Sequence, residues 1–207
     1  MMGRRPAVLL DRDGTLTEPR HYPSSPADLV LQAGIVRPLQ RLQSLGIALV
    51  VVTNQAGLAH GYFADKDLDA MHIHLRSELA ADGVHLDGIY ACPHHPDGVV
   101  ADLSVQCTCR KPEPGLLLMA ARELGLDLSR SWMVGDFASD VAAGRRAGCH
   151  TAWVGPAALQ TNGPEFVEAK DPNLRAATTA EALQTIADLM VSQRDLKGGA
   201  IVERRLR

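Results

Sequence analysis

This chain of 207 residues has no long hydrophobic run. Its apolar runs stay far below the roughly 20 residues that a membrane-spanning helix needs. The N-terminus is basic, but only the four apolar residues Ala7–Leu10 precede Asp11, and a secretory leader needs a longer apolar stretch. We therefore expect a cytoplasmic protein that does not bind a membrane.

A strong net charge is also absent. Lys and Arg together number 21 and Asp and Glu 24, which gives a formal net charge of −3 and no reason to expect nucleic acid as a partner. The hydrophobic share of 46% is ordinary for a globular protein. We expect one domain over residues 1–193, a monomer, and a basic tail, 194–207, to which the sequence assigns no structure.

Short apolar segments alternate with segments of helical periodicity. The predicted strands are residues 7–10, 47–52, 89–91, 132–134 and 150–154. The predicted helices are residues 36–45, 65–81, 114–125, 138–147 and a last helix that opens at Thr178. This alternation is typical of an α/β fold, a Rossmann-like parallel sheet with helices on both faces. We expect residues 156–173 to form a surface connection.

Polar side chains stand where three of these strands end. Asp11 and Asp13 follow the first strand and offer a nucleophile and a proton-transfer group side by side. In a parallel sheet, sites form beyond the carboxyl ends of the strands, so the residues after strands one, two and four should meet at one edge. Concentrated carboxylates favour Mg²⁺, which prefers oxygen ligands. Together these features indicate phosphoryl transfer through an aspartyl phosphate.

The second predicted strand is followed by Thr53, Asn54 and Gln55. The hydroxyl of Thr53 could simply cap the next segment, but its expected place beside Asp11 favours the binding of a phosphate oxygen. Asn54 and Gln55 either shape the turn or contact the substrate. We therefore predict that all three residues belong to the substrate-binding part of the site.

Two basic residues, Arg110 and Lys111, precede the third predicted helix. Basic residues are most often solvated surface, yet Pro112 and Pro114 favour an extended stretch that can point Lys111 inward. Near Asp11, the ammonium group would offset the charge of the carboxylates and of an incoming phosphate. The planar fork of Arg110 suits a second anionic group.

The fourth strand is followed by Asp136, with Asp140 one helical turn later. Asp136 by itself could be only a helix N-cap. Carboxylates that converge with Asp11 raise one another's pKa and are hard to explain without a divalent ion. We therefore predict that Asp136 is a Mg²⁺ ligand. Asp140 should support the site without binding the ion itself.

Three of the four cysteines lie near a pair of histidines. Cys92, His94, Cys107 and Cys109 form the pattern Cys-x-His-x₁₂-Cys-x-Cys. Three thiolates and an imidazole are a ligand set of closed structural zinc sites, and disulfides are rare in cytoplasmic proteins. Reduced thiols without metal and a redox role are the alternatives, and His95 is a second candidate for the imidazole ligand.

With these motifs named, the chain resembles the haloacid dehalogenase superfamily of phosphotransferases. The residues that match its four motifs in order are Asp11-x-Asp13-Gly14-Thr15, Thr53, Lys111 and Asp136 with Asp140. Segments 92–96 and 107–112 resemble, more narrowly, its heptose-bisphosphate phosphatases, which are relatives of the histidinol phosphatases. The resemblance covers residues 7–154 and implies the strand order 3-2-1-4-5 without a large cap domain.

The resemblance also implies a mechanism. Asp11 would attack phosphorus, and Asp13 would protonate the leaving alcohol and then activate water. Mg²⁺ would be held by Asp11, Asp136 and the backbone carbonyl of Asp13. Thr53 and Lys111 would hold the transferring phosphoryl group.

The implied reaction is the Mg²⁺-dependent removal of the 7-phosphate from D-glycero-D-manno-heptose 1,7-bisphosphate, a small phosphorylated sugar. Arg110 would bind the far phosphate or the sugar of this substrate. The enzymatic alternative is a histidinol-phosphate phosphatase or another hydrolase of small phosphomonoesters, and an inactive, zinc-stabilised binding protein is the alternative of another class. Phe137 stands where the heptose enzymes often have a lysine, which removes one cation from the site.

Overall fold

A computed structural model describes residues 4–155 and 171–204, with the side chains of the last helix given as far as Ser192. The described strands are β1 Ala7–Leu10, β2 Ala48–Asn54, β3 Gly88–Cys92, β4 Trp132–Gly135, β5 His150–Val154 and β6 Leu174–Ala176. They form one sheet in the order β3-β2-β1-β4-β5-β6, and every neighbouring pair is parallel. The predicted α/β fold and the order of its first five strands are confirmed.

The sixth strand was not predicted. It has only three residues, and Arg175 in its middle is exposed, so the segment shows no apolar run. Pairing with β5, in which Leu174 lies opposite Ala152, holds it in place. Most of the predicted connection over residues 156–173 lies outside the described residues.

Two strands extend beyond their predicted ends. β2 includes Thr53 and Asn54, which were expected to follow it, and β3 continues to Cys92. Thr53 pairs with Ala91 and Asn54 with Cys92 in the parallel register. The two strands therefore hold these polar residues in extended backbone right at the edge of the sheet.

The described α-helices are α1 Val36–Ser44, α2 Asp65–Ala81, α3 Gly115–Leu124, α4 Ala138–Arg146 and α5 Thr179–Arg204. Gly46 and Gly125 follow α1 and α3 with φ of 69° and 65°, the left-handed conformation that commonly ends a helix. α5 opens after Thr178, whose hydroxyl accepts the backbone N–H of Glu181 at 3.2 Å. Both helix ends and this start agree with the predicted positions.

The backbone of α5 stays helical through Arg204. Most of the tail, 194–207, therefore has a regular backbone where the sequence assigned none. None of the helices in the described part of the chain is long and apolar enough to span a bilayer.

Hydrophobic cores cover both faces of the sheet. On one face, α1, α2 and α5 pack over strand residues such as Leu10 and Val51, and on the other face α3 and α4 pack over Leu9 and Val50. Full burial of each such side chain contributes ~1.5–3 kcal/mol relative to exposure. Because hydrophobic cores cover β1 on both faces, the end of this strand holds the backbone of Asp11 in a fixed position.

Candidate active site

The carboxyl ends of β1, β2 and β4 meet at one edge of the sheet. Asp11 leaves the end of β1 with its backbone N–H donating to the carbonyl oxygen of Val134 in β4, at 3.0 Å. Asp136 follows β4 directly, and Thr53 lies near the end of β2. Residues that the sequence places after or at the ends of three strands thus converge at this edge.

Lys111 is buried at the centre of this edge. Its Nζ lies 2.6 Å from Asp11 Oδ1, 2.6 Å from Asp140 Oδ1 and 2.8 Å from the carbonyl oxygen of Val52. All three protons of the ammonium group therefore have acceptors. Burial opposes the charged form, but Asp11 and Asp140 outweigh it and raise the pKa of Lys111. Lys111 is thus a cation in contact with Asp11.

Asn54 positions Lys111 through its backbone. Asn54 Oδ1 accepts the backbone N–H of Lys111 at 3.0 Å, and Asn54 Nδ2 donates to the carbonyl oxygen of Lys111 at 3.0 Å. These two bonds tie the end of β2 to the loop before α3, in which the Lys111–Pro112 peptide bond is cis. Of the two roles that the sequence left open for Asn54, this contact favours the shaping of the site.

Three carboxylates lie close together here, and two of them contact this lysine. Oxygen atoms of Asp11, Asp136 and Asp140 all lie within 4.8 Å of one another. Burial raises the pKa of Asp11 to about 7, although Lys111 opposes the shift, and burial with the two neighbouring carboxylates raises the pKa of Asp136 to about 8. The cluster therefore holds more negative charge than one lysine offsets, and its hard oxygen donors fit a cation such as Mg²⁺.

Asp140 has both of its carboxylate oxygens engaged. Oδ1 accepts from Lys111 at 2.6 Å, and Oδ2 accepts the backbone N–H of Phe137 at the start of α4, at 2.9 Å. This geometry fits a supporting role, because the side chain fixes Lys111 and the first turn of α4. Asp11 and Asp136 are then the better candidates for direct contact with an ion.

The turn after β1 contacts Asp136 and requires glycine at position 14. Gly14 has a φ of 87°, and a Cβ atom there would lie 2.2 Å from Asp136 Oδ2. The next residue, Thr15, donates its hydroxyl to Asp136 Oδ1 at 3.0 Å. The sequence assigned Gly14 and Thr15 to a tight turn, and the structure adds that they orient Asp136.

Asp13 is held by Arg12, a residue whose role sequence analysis missed. Arg12 is fully buried, and its Nε and Nη2 donate to the two carboxylate oxygens of Asp13 at 2.9 and 2.8 Å. Such a bidentate contact fixes the orientation of the carboxylate. The available signal was an arginine between two aspartates at the end of a buried strand, because a buried guanidinium needs charged or polar partners.

Gln55 lies behind the cleft, which favours the first of its two predicted roles, the shaping of the turn. Its Oε1 accepts from Arg12 at 2.9 Å, and its Nε2 donates to Asp13 Oδ2 at 3.0 Å and to Thr53 Oγ1 at 2.8 Å. The residue is only 3% exposed. Gln55 therefore links Asp13 to Thr53, whose hydroxyl oxygen accepts this bond and whose proton is left to donate to a ligand.

A cleft of about 460 Å³ opens over these groups. The predicted site residues in its lining are Asp11, Asp13, Thr53, Asn54, Arg110, Lys111 and Asp140. Two aromatic side chains, Tyr22 and Phe137, line it as well. Arg110 Nη1 donates to the carbonyl oxygen of His94 at 3.3 Å, so the position of this cation depends on the neighbouring loop.

Cys92, His94, Cys107 and Cys109 lie together beside the cleft. Cys109 Sγ lies 3.2 Å from Cys92 Sγ, 3.3 Å from Cys107 Sγ and 3.3 Å from His94 Nδ1. Ligand atoms around a tetrahedral zinc ion with Zn–S bonds of about 2.3 Å would lie about 3.8 Å apart. All four cysteines of the chain are free thiols. The donor set and its spacing therefore fit zinc after a small outward movement.

The structure distinguishes His94 from His95. His94 Nδ1 faces the thiols, whereas His95 Nδ1 accepts the backbone N–H of Asp97 at 3.1 Å and its ring lies 4.8 Å from that of His60. The backbone N–H of Arg110 donates to Cys107 Sγ at 3.4 Å. The cluster thus connects the end of β3 to the segment that presents Arg110.

Known proteins resemble this chain in sequence and in structure. A HAD-hydrolase-like family model matches residues 108–165. The D-glycero-β-D-manno-heptose-1,7-bisphosphate 7-phosphatase of Yersinia pestis is 44% identical over 146 residues, which cover 70% of this chain and 78% of that protein. The corresponding α-anomer 7-phosphatase of Photorhabdus laumondii is 38% identical over 141 residues, which cover 68% and 77%.

A solved structure is similar over nearly its whole length. It is the D,D-heptose 1,7-bisphosphate phosphatase from B. bronchiseptica complexed with magnesium and phosphate. The match has a TM-score of 0.73 and 28% identity, and it covers 88% of this chain and 98% of that one.

We expect Mg²⁺ to stabilise the protein more at pH 9 than at pH 6. The pKa values of Asp11 and Asp136, about 7 and about 8 without metal, keep both groups partly protonated near neutral pH, and the ion binds their ionised forms. Both pKa values lie above the value of about 3.9 in the unfolded chain. The free energy of unfolding of the metal-free protein therefore falls as the pH rises from that value to the folded-state pKa values. Thermal unfolding at both pH values, with and without Mg²⁺, measures the difference. Equal increases in Tm would contradict it.

We expect Cys109→Ser to lose bound zinc and stability together. Loss of a thiolate ligand should release the ion and lower the free energy of unfolding by about 4 kcal/mol or more. Cys149→Ser is the matched control, since Cys149 is buried away from the cluster and burial raises its pKa to about 12. Metal analysis and urea unfolding measure both effects, and freshly purified parent protein without zinc would refute the zinc site.

Proposed function

Because this chain belongs to the haloacid dehalogenase superfamily, in its group of heptose-bisphosphate phosphatases, we propose that it hydrolyses the 7-phosphate of D-glycero-D-manno-heptose 1,7-bisphosphate. The observation that best supports this reaction is the meeting of Asp11, Lys111 and Thr53 in one cleft, with Asp136 against Asp11. These side chains supply a nucleophile, two groups for phosphoryl oxygens and a cation site. We further propose that residues 1–193 act as one domain in a monomer.

Asp11 is the proposed nucleophile. Its carboxylate attacks phosphorus, the P–O bond to the sugar breaks, and the phosphoryl group is transferred to Asp11 as an aspartyl phosphate. Lys111 Nζ lies 2.6 Å from Asp11 Oδ1, so it favours the ionised carboxylate and is within reach of oxygens on the transferred group. The Thr53 hydroxyl, oriented by Gln55, donates to a further phosphoryl oxygen.

Asp13 is the proposed general acid and base. It gives a proton to the sugar oxygen as the P–O bond breaks, and it then takes a proton from the water that hydrolyses the aspartyl phosphate. The Asp13 side chain is 21% exposed and lines the cleft, while Arg12 and Gln55 orient it from behind. This arrangement presents the proton-transfer group to the substrate in a defined position.

Asp11, Asp136 and the backbone carbonyl of Asp13 are the groups that would hold Mg²⁺. When bound, the ion neutralises charge on the carboxylates and on the phosphate. The raised pKa values of the Asp11 and Asp136 carboxyl groups support this assignment, because burial and, after it, neighbouring carboxylates disfavour the ionised forms that a cation would stabilise.

Arg110 is the proposed contact for the second phosphate or the sugar of the substrate. It lines the cleft beside Lys111, and a guanidinium binds phosphate oxygens in pairs. Its backbone and side chain bond to Cys107 and His94 of the Cys/His cluster. Zinc held by Cys92, His94, Cys107 and Cys109 would therefore stabilise the segment that presents Arg110.

We expect Asp11→Asn to abolish turnover while the fold stays intact. The amide keeps the shape of the side chain but is no nucleophile, so phosphate release should fall by about four orders of magnitude or more. Asp127→Asn is a suitable control, because Asp127 lies beside Arg5 near the opposite edge of the sheet. Phosphate release with Mg²⁺ and thermal unfolding test both variants, and unchanged release from Asp11→Asn would refute the nucleophile.

We expect a heptose bisphosphate to be preferred to histidinol phosphate by about several hundred-fold in kcat/KM. Both anomers are included in the comparison, because similar relatives are named for the β and for the α anomer. Steady-state kinetics of the parent protein with Mg²⁺ measures the ratio. A higher kcat/KM for histidinol phosphate would overturn the proposed substrate and leave the phosphatase chemistry in place.

A further inference from the structure

We propose that Tyr22 is a specificity-determining residue whose ring forms an apolar wall of the cleft for one face of the substrate's sugar ring. Tyr22 lies in the loop between β1 and α1 and lines the same cleft as Asp13 and Arg110. This inference rests on the proposed function, since it concerns how that cleft selects a sugar phosphate.

Tyr22 has a backbone conformation that disfavours a large side chain. Its φ is 49°, in the left-handed region that glycine and asparagine adopt most easily. Among the non-glycine residues of 4–155 and 171–204, it alone has a positive φ. Strain of this kind persists only where the surroundings hold it, and it concentrates at ligand sites. An asparagine would fit the backbone better, so the ring itself is what this position supplies.

Neighbouring rings hold Tyr22 in place. Its ring centroid lies 4.5 Å from that of His21, 4.8 Å from Tyr62 and 5.7 Å from His60, with edge-to-face geometry in each pair. His60 stacks on Tyr62 at 5.5 Å and lies 4.8 Å from His95. The rings join the loops that follow β1, β2 and β3, and Tyr22 is the ring of this group that lines the cleft.

The chemistry of the cleft leaves a role for an apolar wall. Its charged and polar side chains, such as Asp13, Thr53 and Arg110, suit phosphate and hydroxyl groups. A pyranose ring also has a face of C–H groups, which packs well on an aromatic ring. A tyrosine offers this surface at low entropic cost because it has few rotatable bonds. Phe137, the other aromatic residue of the lining, has an ordinary φ of −107°.

Two variants and two substrates test the proposal. Tyr22→Asn removes the ring and suits the backbone, whereas Tyr22→Phe keeps the ring. Heptose 1,7-bisphosphate has the sugar ring, and glycerol phosphate has the ester without it. For Tyr22→Asn we expect kcat/KM to fall by about tenfold or more with the heptose bisphosphate, mainly through KM, and to change by less than about threefold with glycerol phosphate. Tyr22→Phe should keep both values.

Thermal unfolding separates this role from a structural one. Relief of strain should offset the lost ring contacts in Tyr22→Asn, so its Tm should stay within about 4 °C of the parent value. If that variant does not fold, Tyr22→Gly suits the same φ and should show the same change in substrate ratio. If the ratio of kcat/KM between the two substrates stays unchanged, because neither value falls or both fall equally, this inference is overturned and the proposed function is not. A parent enzyme active on glycerol phosphate but not on the heptose bisphosphate would remove the proposed substrate and this inference with it.

Discussion

One buried ammonium group, Nζ of Lys111, is the interaction on which the geometry of the cleft depends. It forms ion pairs with Asp11 and Asp140 and donates its third proton to the carbonyl oxygen of Val52 inside the sheet. A buried charge is stable only when its partners are complete, because desolvation of an unpaired ion costs several kcal/mol. The end of β1, the end of β2 and, through Asp140, the first turn of α4 are therefore coupled at a single nitrogen atom.

Lys111 reaches this position from a loop without regular periodicity. Asn54 binds the backbone of Lys111 on both sides of the residue, and the cysteines of the Cys/His cluster lie two and four residues earlier, at 109 and 107. The loop has little apolar side-chain burial of its own, so cross-links of this kind take the place of a core. The proposed zinc site and the proposed active site thus share one short stretch of chain.

Several parts of the site are locally unfavourable. Asp11 and Asp136 have raised pKa values, the turn at Gly14 leaves no room for a Cβ atom, and Tyr22 has a positive φ. Each of these features has a cost in local stability. The two hydrophobic cores on either side of the sheet offset these costs, which is why such features concentrate where the strands end.

The sequence by itself determined the parallel sheet, the bounds of α2 and the groups at the strand ends, because apolar periodicity fixes the elements and strand order fixes the shared edge. The tertiary structure decided what depends on neighbours distant in the chain. It turned Gln55 toward Arg12 instead of the cleft, chose His94 over His95 beside the thiols, and placed the ring of Tyr22 in the lining. A side chain's direction follows from the partners packed around it, and a local pattern does not contain them.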